Sequence, residues 1–433
     1  MARLFRNIFA YLLVGFMLLA TSCHKSGDGD DPITTPQTLI VYLAGTSLGW
    51  AFNGNVTGIK NALKGNIQGD SRVIVVWQYC EKDSEKEKYE FKTNKSEAIE
   101  LIYDKSRDTV LQEKLATYDL PQAMDSETLG GIFQDVMEKA PAAAYGLIIG
   151  AHGWGWFPQD DIPKLQNNLI SATEARLRKQ PVLIPQHMLT RFVGDPSKGA
   201  NRFDIGTLSK ALSSTGKTFE YILFDACFMA NVESAYDLRH NTKYIIGSVC
   251  EIMGEGFPYA DAIPHLLKNG GRSYDLPSVV NSFHKYHKGK YIIQPYDAPL
   301  NPEKWDFPYS GTISLINCSQ LDALASAMKE VNKSLRSEYN RADIQSYEGG
   351  DNHIFFDLGD YVDKVCDDES AKSRLMTQLQ QTVSTKYAVD YFWTTYIDAD
   401  FYPITSYSGL NTSAPSLLCR DSYYQTAWYK ATH

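Results

Sequence analysis

The sequence predicts an α/β protein with a mostly parallel central sheet, and three observations carry that prediction. From residue 38 to 290, short apolar runs alternate with helical patterns, as βαβ units do. Two of the runs, Tyr145–Gly153, which ends on His-Gly, and Thr218–Asp225, read as buried strands of the same design. Both bring residues with reactive chemistry to their ends, His152-Gly153 and Cys227. A parallel α/β sheet places its ligands at the carboxyl ends of its strands.

The elements follow in order. Residues 38–44 are the first strand, 45–54 a loop and 56–63 a helix. Residues 72–79 form a strongly β-branched second strand. Residues 81–95 are charged and aperiodic, a solvated hairpin or loop, and 97–103 a further strand. Ser126 opens a helix in which Leu129, Ile132, Phe133, Val136 and Met137 keep helical spacing. Residues 154–202 carry Gly, Pro, Asp, Asn and scattered Lys and Arg with weak periodicity, and read as an insertion covering the site region. Then come a helix at 204–214, the strand leading to Cys227, a helix at 231–238 and a buried strand at 243–249. A Gly/Pro loop at 254–259 precedes helices at 259–267 and 276–286. Beyond Tyr291 the pattern loosens. A strand at 311–317, a long amphipathic helix at 321–339, helices at 355–365 and 371–383, and an aromatic tail form a C-terminal α+β extension, 291–433, packed on the core.

The N-terminus is a targeting segment. Arg3 and Arg6 precede an apolar run, Ile8 to Ala20, that is short for a membrane span. The run closes on Leu19-Ala20-Thr21-Ser22-Cys23, which looks like a bacterial lipobox with Cys23 as the lipidated residue. Residues 24–37 are rich in Gly, Asp, Pro and Thr, a solvated tether. A lipid-anchored protein of the bacterial cell envelope, periplasmic or surface-exposed and monomeric, is the expectation. Net charge is −9 with no basic block, which argues against a nucleic-acid partner.

Of seven cysteines, Cys23 is assigned to lipid. No CxxC indicates zinc, and Cys80, Cys250, Cys318, Cys366 and Cys419 are expected to be mostly small buried hydrophobes. Cys227 differs by its place. A helix N-terminus and a nearby imidazolium both lower a thiol pKa, and its position after a strand and before a helix suits both. His152 is the histidine that follows an apolar strand and precedes a glycine. Gly153 leaves room for a substrate carbonyl at its N–H, and with the Cys227 N–H it can form an oxyanion hole. A base, a thiol and an oxyanion hole point to a cysteine peptidase acting on protein or peptide substrates.

The segments Ala151-His152-Gly153-Trp154-Gly155-Trp156 and Phe224-Asp225-Ala226-Cys227-Phe228-Met229-Ala230-Asn231-Val232-Glu233 resemble the two signatures of the clostripain-like cysteine peptidases, relatives of caspases, legumains and gingipains. The resemblance implies a caspase-like α/β/α sandwich over a core at 38–290, with a His152–Cys227 dyad. It also implies cleavage after Arg or Lys, with Asp225 in the S1 pocket. Glu255, in the run Cys250-Glu251-Ile252-Met253-Gly254-Glu255-Gly256-Phe257, is the candidate second S1 acid; Ile252 and Met253 depart from a more polar family pattern. Some members mature by cutting between the two motifs. Here 75 positions separate His152 from Cys227, and Arg178 or Lys179 is the expected self-cleavage point. Clostripain itself is associated with calcium. The acidic runs Asp28, Asp30, Asp31 and Asp398, Asp400 lack EF-hand spacing, and no cofactor or required metal is expected. Two alternatives compete: a non-catalytic peptide- or glycan-binding lipoprotein on a degenerate peptidase fold, and another Cys-His acyl hydrolase such as an amidase or transpeptidase.

Overall fold

Six consecutive buried residues, Thr38–Leu43 (β1), form an inner strand of the sheet. The run is apolar throughout after Thr38, as a strand covered on both faces must be. The computed structural model describes residues 35–44, 48–77, 80–83, 88–91, 95–119, 121, 124–157, 203–269, 271–288, 311–348, 353–394 and 400–433. The leader and most of the tether, Cys23, Arg178, Lys179 and the insertion from residue 158 to 202 lie outside the described residues.

The other sheet strands are Arg72–Trp77 (β2), Lys95–Asp104 (β3), Thr109–Asp119 (β4), Tyr145–Gly150 (β5), Tyr221–Asp225 (β6), Tyr244–Gly247 (β7), Thr312–Asn317 (β8) and Val383–Ala388 (β9). Their order across the sheet is β9-β8-β7-β6-β5-β1-β2-β3-β4. The pairs β2–β1, β1–β5, β5–β6 and β6–β7 are parallel. The outer pairs β2–β3, β3–β4, β7–β8 and β8–β9 are antiparallel. The sheet is therefore mixed, with its parallel part at the centre, where the expected site lies.

Helices cover both faces. Gly49–Leu63 (α1) packs on Tyr259–Leu266 (α5), and α5 on Leu276–His287 (α6). Ser126–Lys139 (α2) packs on Ile205–Ser214 (α3). Side chains alternate along β6. Asp225 meets Tyr259 of α5, whereas its neighbour Phe224 shares a cleft with Ile205 of α3, so these helices lie on opposite faces. Asp125 caps α2 through Thr128 N, Asp204 caps α3 through Thr207 N, and Asn231 caps Val232–Leu238 (α4) through Ser234 N.

The C-terminal part is α+β and packs on the core, and it also completes the sheet with β8 and β9. Its helices Leu321–Asn332 (α7) and Glu369–Thr382 (α9) pack together, while Asp357 caps Leu358–Val365 (α8). Helix α7 ends seven residues before the amphipathic pattern suggested, and α1 starts seven residues before its expected first turn. β4 and β9 carried no expectation. β4 is exposed or half-buried along its whole length, so no buried face sets an apolar alternation. β9 directly follows α9 and has one buried residue, Val383.

Candidate active site

The parallel register places the two signature segments side by side. The last register pair of β5 and β6 is Gly150 with Asp225. Ala151 N donates to the Asp225 carbonyl at 3.3 Å, which carries the pairing one step further. His152 and Cys227 each stand two residues beyond that pair, on neighbouring strand ends. Gly153 lies directly on the Cys227 backbone: a Cβ there would be 2.0 Å from the Cys227 carbonyl oxygen and 2.6 Å from its nitrogen. Both members of the candidate oxyanion hole, Gly153 and Cys227, thus have their main chains in contact. His152 and Cys227 are enclosed, at 7% and 1% exposure.

Cys227 sits on a turn rather than on a helix N-terminus. Helix α4 starts only at Val232, and a helix field falls off within its first turn. The expected helix assistance to the thiol is corrected on that ground. The sulfur instead meets the main chain of Ile252, whose N–H points at Cys227 Sγ at 3.2 Å and whose carbonyl lies 3.8 Å from it. The turn itself is pinned to the segment after β7 by Phe228 N to Cys250 O at 3.1 Å and Ala230 N to Ser248 O at 2.8 Å. Phe228 has φ +59°, a left-handed conformation uncommon for an aromatic residue. Its ring stacks on Phe355 at 4.6 Å between centroids.

The two candidate S1 acids have different partners. Asp225 is fully buried and accepts the Tyr259 hydroxyl at Oδ2, 2.7 Å. Glu255 is half-buried; its Oε2 accepts the Tyr286 hydroxyl at 2.9 Å and its carbonyl accepts Asn55 Nδ2 at 2.9 Å. Glu251 is buried and accepts the Thr394 hydroxyl. Cys250 and Cys318 are buried, and burial pushes their thiols up to about 11 and about 12. Cys366 is buried as well and Cys419 half-buried, which suits structural cysteines.

Sequence reasoning missed a buried polar network behind the site. Glu233 is fully buried and accepts from Thr412 Oγ1, Ser413 N and Asn231 Nδ2. Asn411 Nδ2 donates to Val249 O, and Asn411 Oδ1 accepts from Asn231. Trp156 donates its indole N–H to Ser413 Oγ at 2.8 Å. A clue was present: Asn231 and Glu233 are polar residues directly after an apolar strand and turn. Their partners lie about 180 positions away, where no local pattern pairs them.

Among the described residues, no group of three or more His, Cys, Asp or Glu could hold a metal ion. Asp28, Asp30, Asp31 and Asp398 lie outside the described residues, and of Asp400 only the main chain is described. No described helix is long and apolar enough to cross a membrane.

A mixed sheet flanked by helices, with a histidine and a cysteine on adjacent strand ends, is the architecture of a caspase-like cysteine peptidase. Comparison with known proteins agrees. The model of peptidase family C11, the clostripain family, matches residues 185–417, which include Cys227 but not His152. Iotapain, a secreted C11 cysteine protease from Bacteroides thetaiotaomicron, is 30% identical; the match covers 93% of this chain and 100% of that one, with a TM-score of 0.71. A secreted C11 cysteine protease from the same organism, solved with an irreversible peptide inhibitor, shares the fold at 24% identity and TM-score 0.69, covering 92% of this chain and 98% of that one. So does an inactive zymogen C11 protease from Parabacteroides distasonis, at 23% identity and TM-score 0.70, covering 93% and 99%. No curated protein sequence matches. The chain belongs to the clostripain family of cysteine peptidases.

Proposed function

We propose that this peptidase cuts peptide bonds after Arg or Lys with His152 and Cys227 as its dyad. The observation that carries the reading is the contact of Gly153 with the Cys227 main chain at the ends of adjacent parallel strands. In this reading the Cys227 thiolate attacks the scissile carbonyl carbon, and the oxyanion forms beside the Gly153 and Cys227 N–H groups. The C–N bond breaks as His152 gives a proton to the leaving amine, leaving a thioester on Cys227. Water, deprotonated by His152, then hydrolyses the thioester. Asp225, with Glu255 as second acid, would pair with the basic P1 side chain.

The enclosure of Cys227 supports a second part of the proposal, that the site opens on self-cleavage after Arg178 or Lys179. Lipidation at Cys23 would hold the enzyme in the bacterial envelope, and the secreted relative supports an exported location. No metal takes part in the proposed steps.

The deciding experiment is turnover of fluorogenic peptides with P1 Arg, Lys, Asp, Asn or Ala, by wild type and Cys227→Ala. Cleavage of the basic substrates, lost in the variant, is the expected result. Cysteine-dependent cleavage of another substrate would discard the S1 roles of Asp225 and Glu255. Full activity of an uncut chain would discard self-cleavage as the opening step.

A further inference from the structure

Glu233 joins both halves of the site to a distant piece of chain. On one side it meets the Cys227 turn: Asn231 Nδ2 donates to Glu233 Oε2, and Asn231 Oδ1 accepts Ser234 N and Oγ. On the other side it fixes residues 412 and 413: Thr412 Oγ1 and Ser413 N donate to Glu233 Oε1 at 2.7 and 3.0 Å. Ser413 Oγ in turn accepts the indole N–H of Trp156, four residues after His152. Asn411 closes the ring, its N donating to Ala230 O at 2.9 Å and its Nδ2 to Val249 O at 2.8 Å. Asn231, Glu233, Asn411, Thr412 and Ser413 are all buried.

These contacts touch the three strand ends that make up the site. Trp156 belongs to the turn after β5, Asn231 to the turn after β6, and Val249 to the segment after β7 that carries Ile252. The turns after β5 and β6 are irregular, with Gly155 at φ +56° and Phe228 at φ +59°, and isolated main-chain bonds such as Phe228 N to Cys250 O and Ala230 N to Ser248 O are supplemented by this side-chain network. A hydrogen-bonded network around one buried carboxyl restrains the orientation of such turns, because each bond is directional. Burial is the largest influence on the Glu233 carboxyl and raises it to about 7, while its donors pull the other way.

We propose that Glu233 is a positioning residue of the peptidase. It acts through Ser413 and Trp156 on the His152 turn and through Asn231 on the Cys227 turn, so that residues 411–413 are part of the catalytic apparatus. The proposal rests on the dyad reading above. Small misplacements of a dyad are costly, of order 10²-fold for about 1 Å. Breaking the network should therefore lower kcat while leaving the substrate pocket, and hence KM, nearly unchanged.

The test uses the full chain in five forms: wild type, Glu233→Gln, Ser413→Ala, Ser413→Thr and Cys227→Ala. Active sites are counted by a peptidyl electrophile, and kcat, KM and the pH midpoint of Cys227 alkylation are measured on the counted sites. Glu233→Gln and Ser413→Ala are expected to lose about tenfold or more in kcat per counted site. KM should stay within about twofold. The alkylation midpoint should move to higher pH as His152 and Cys227 lose their alignment. Ser413→Thr retains the hydroxyl and should restore kcat towards wild type. A purely structural role would lower the number of counted sites but leave kcat per site and the midpoint unchanged; that result overturns the proposal. If wild type shows no turnover that depends on Cys227, the dyad reading itself fails, a distinct outcome.

Discussion

The Cys227 carbonyl oxygen occupies the space that a Gly153 side chain would need, 2.0 Å from the Cβ position. Real Cβ contacts are never so short, and the obstacle is main chain, which cannot rotate aside. Gly153→Ala must therefore push the His152 and Cys227 turns apart. The expected result is a loss of at least about 10²-fold in kcat/KM, with a folded protein by circular dichroism. Wild-type turnover in Gly153→Ala would show that the turns can separate without cost, and would remove Gly153 from the oxyanion hole.

Once the site is open, the Cys227 thiol and the structural thiols should separate chemically; in the closed chain Cys227 is itself only 1% exposed. Burial raises Cys250 to about 11 and Cys318 to about 12, and their sulfurs are out of reach of solvent. Brief treatment of the self-cleaved enzyme with a peptidyl electrophile at neutral pH should modify Cys227 and spare both. Peptide mapping by mass spectrometry reads this directly. Modification of Cys250 in the folded chain would contradict its buried, thiol-protonated state.

Much of this arrangement was legible in the sequence, and the boundary has physical causes. β1, β5 and β6 are buried along their whole length, so their apolar runs stand out, and the residues just beyond β5 and β6 mark the candidate site. β4 has no buried face to impose a pattern, so it went unseen. Asp225 was read as an S1 acid, but the hydroxyl of Tyr259 that holds it comes from the next helix layer and follows no local spacing. Glu233 lay inside the quoted motif, yet its role depends on Thr412 and Ser413, which only the tertiary fold brings near.

Tyr259→Phe tests how Asp225 is held. The substitution removes the hydroxyl that donates to Asp225 Oδ2 at 2.7 Å inside a fully buried site. Losing a donor to a buried carboxylate costs about 1–3 kcal/mol. A lowered denaturant midpoint with unchanged slope is the expected signature. If Asp225 also receives a basic P1 residue, kcat/KM for Arg and Lys substrates should change in the variant while that for an Ala substrate does not. Equal changes for all substrates would detach Asp225 from specificity.

Stability should fall as pH rises from about 4.5 to about 8. Burial is the main cause that raises Glu233 to about 7 and Glu348 to about 8, from an ordinary 4.5. Each therefore holds its proton more tightly folded than unfolded. Their contribution is fully present below about pH 4.5 and is lost as pH rises to about 7 and about 8. Within the window each group changes stability by at most about 1.4 kcal/mol per pH unit. The pH series of denaturant midpoints should show this decline, and Glu348→Gln should flatten its upper part. A profile that rises from pH 5 to 8 in wild type and is unaltered by the substitution would refute the assignment.

Phe355 joins the two site turns from above, and its removal should expose their dependence on packing. The ring is fully buried, stacks on Phe228 at 4.6 Å and stands edge-on to Phe157 at 6.0 Å. It also fills the space beside Gly155, where a Cβ would meet it at 2.8 Å. Phe355→Ala leaves a cavity shared by the turns after β5 and β6, at a cost of about 3–5 kcal/mol. Because Phe228 holds a left-handed conformation next to Cys227, losing its stacking partner removes part of what keeps that conformation. The variant should unfold at lower denaturant and lose activity even at temperatures where it remains folded. Phe355→Leu, which refills most of the volume, should recover stability more than activity, since a branched aliphatic chain packs but cannot stack. Parallel recovery of both would assign Phe355 to core filling alone.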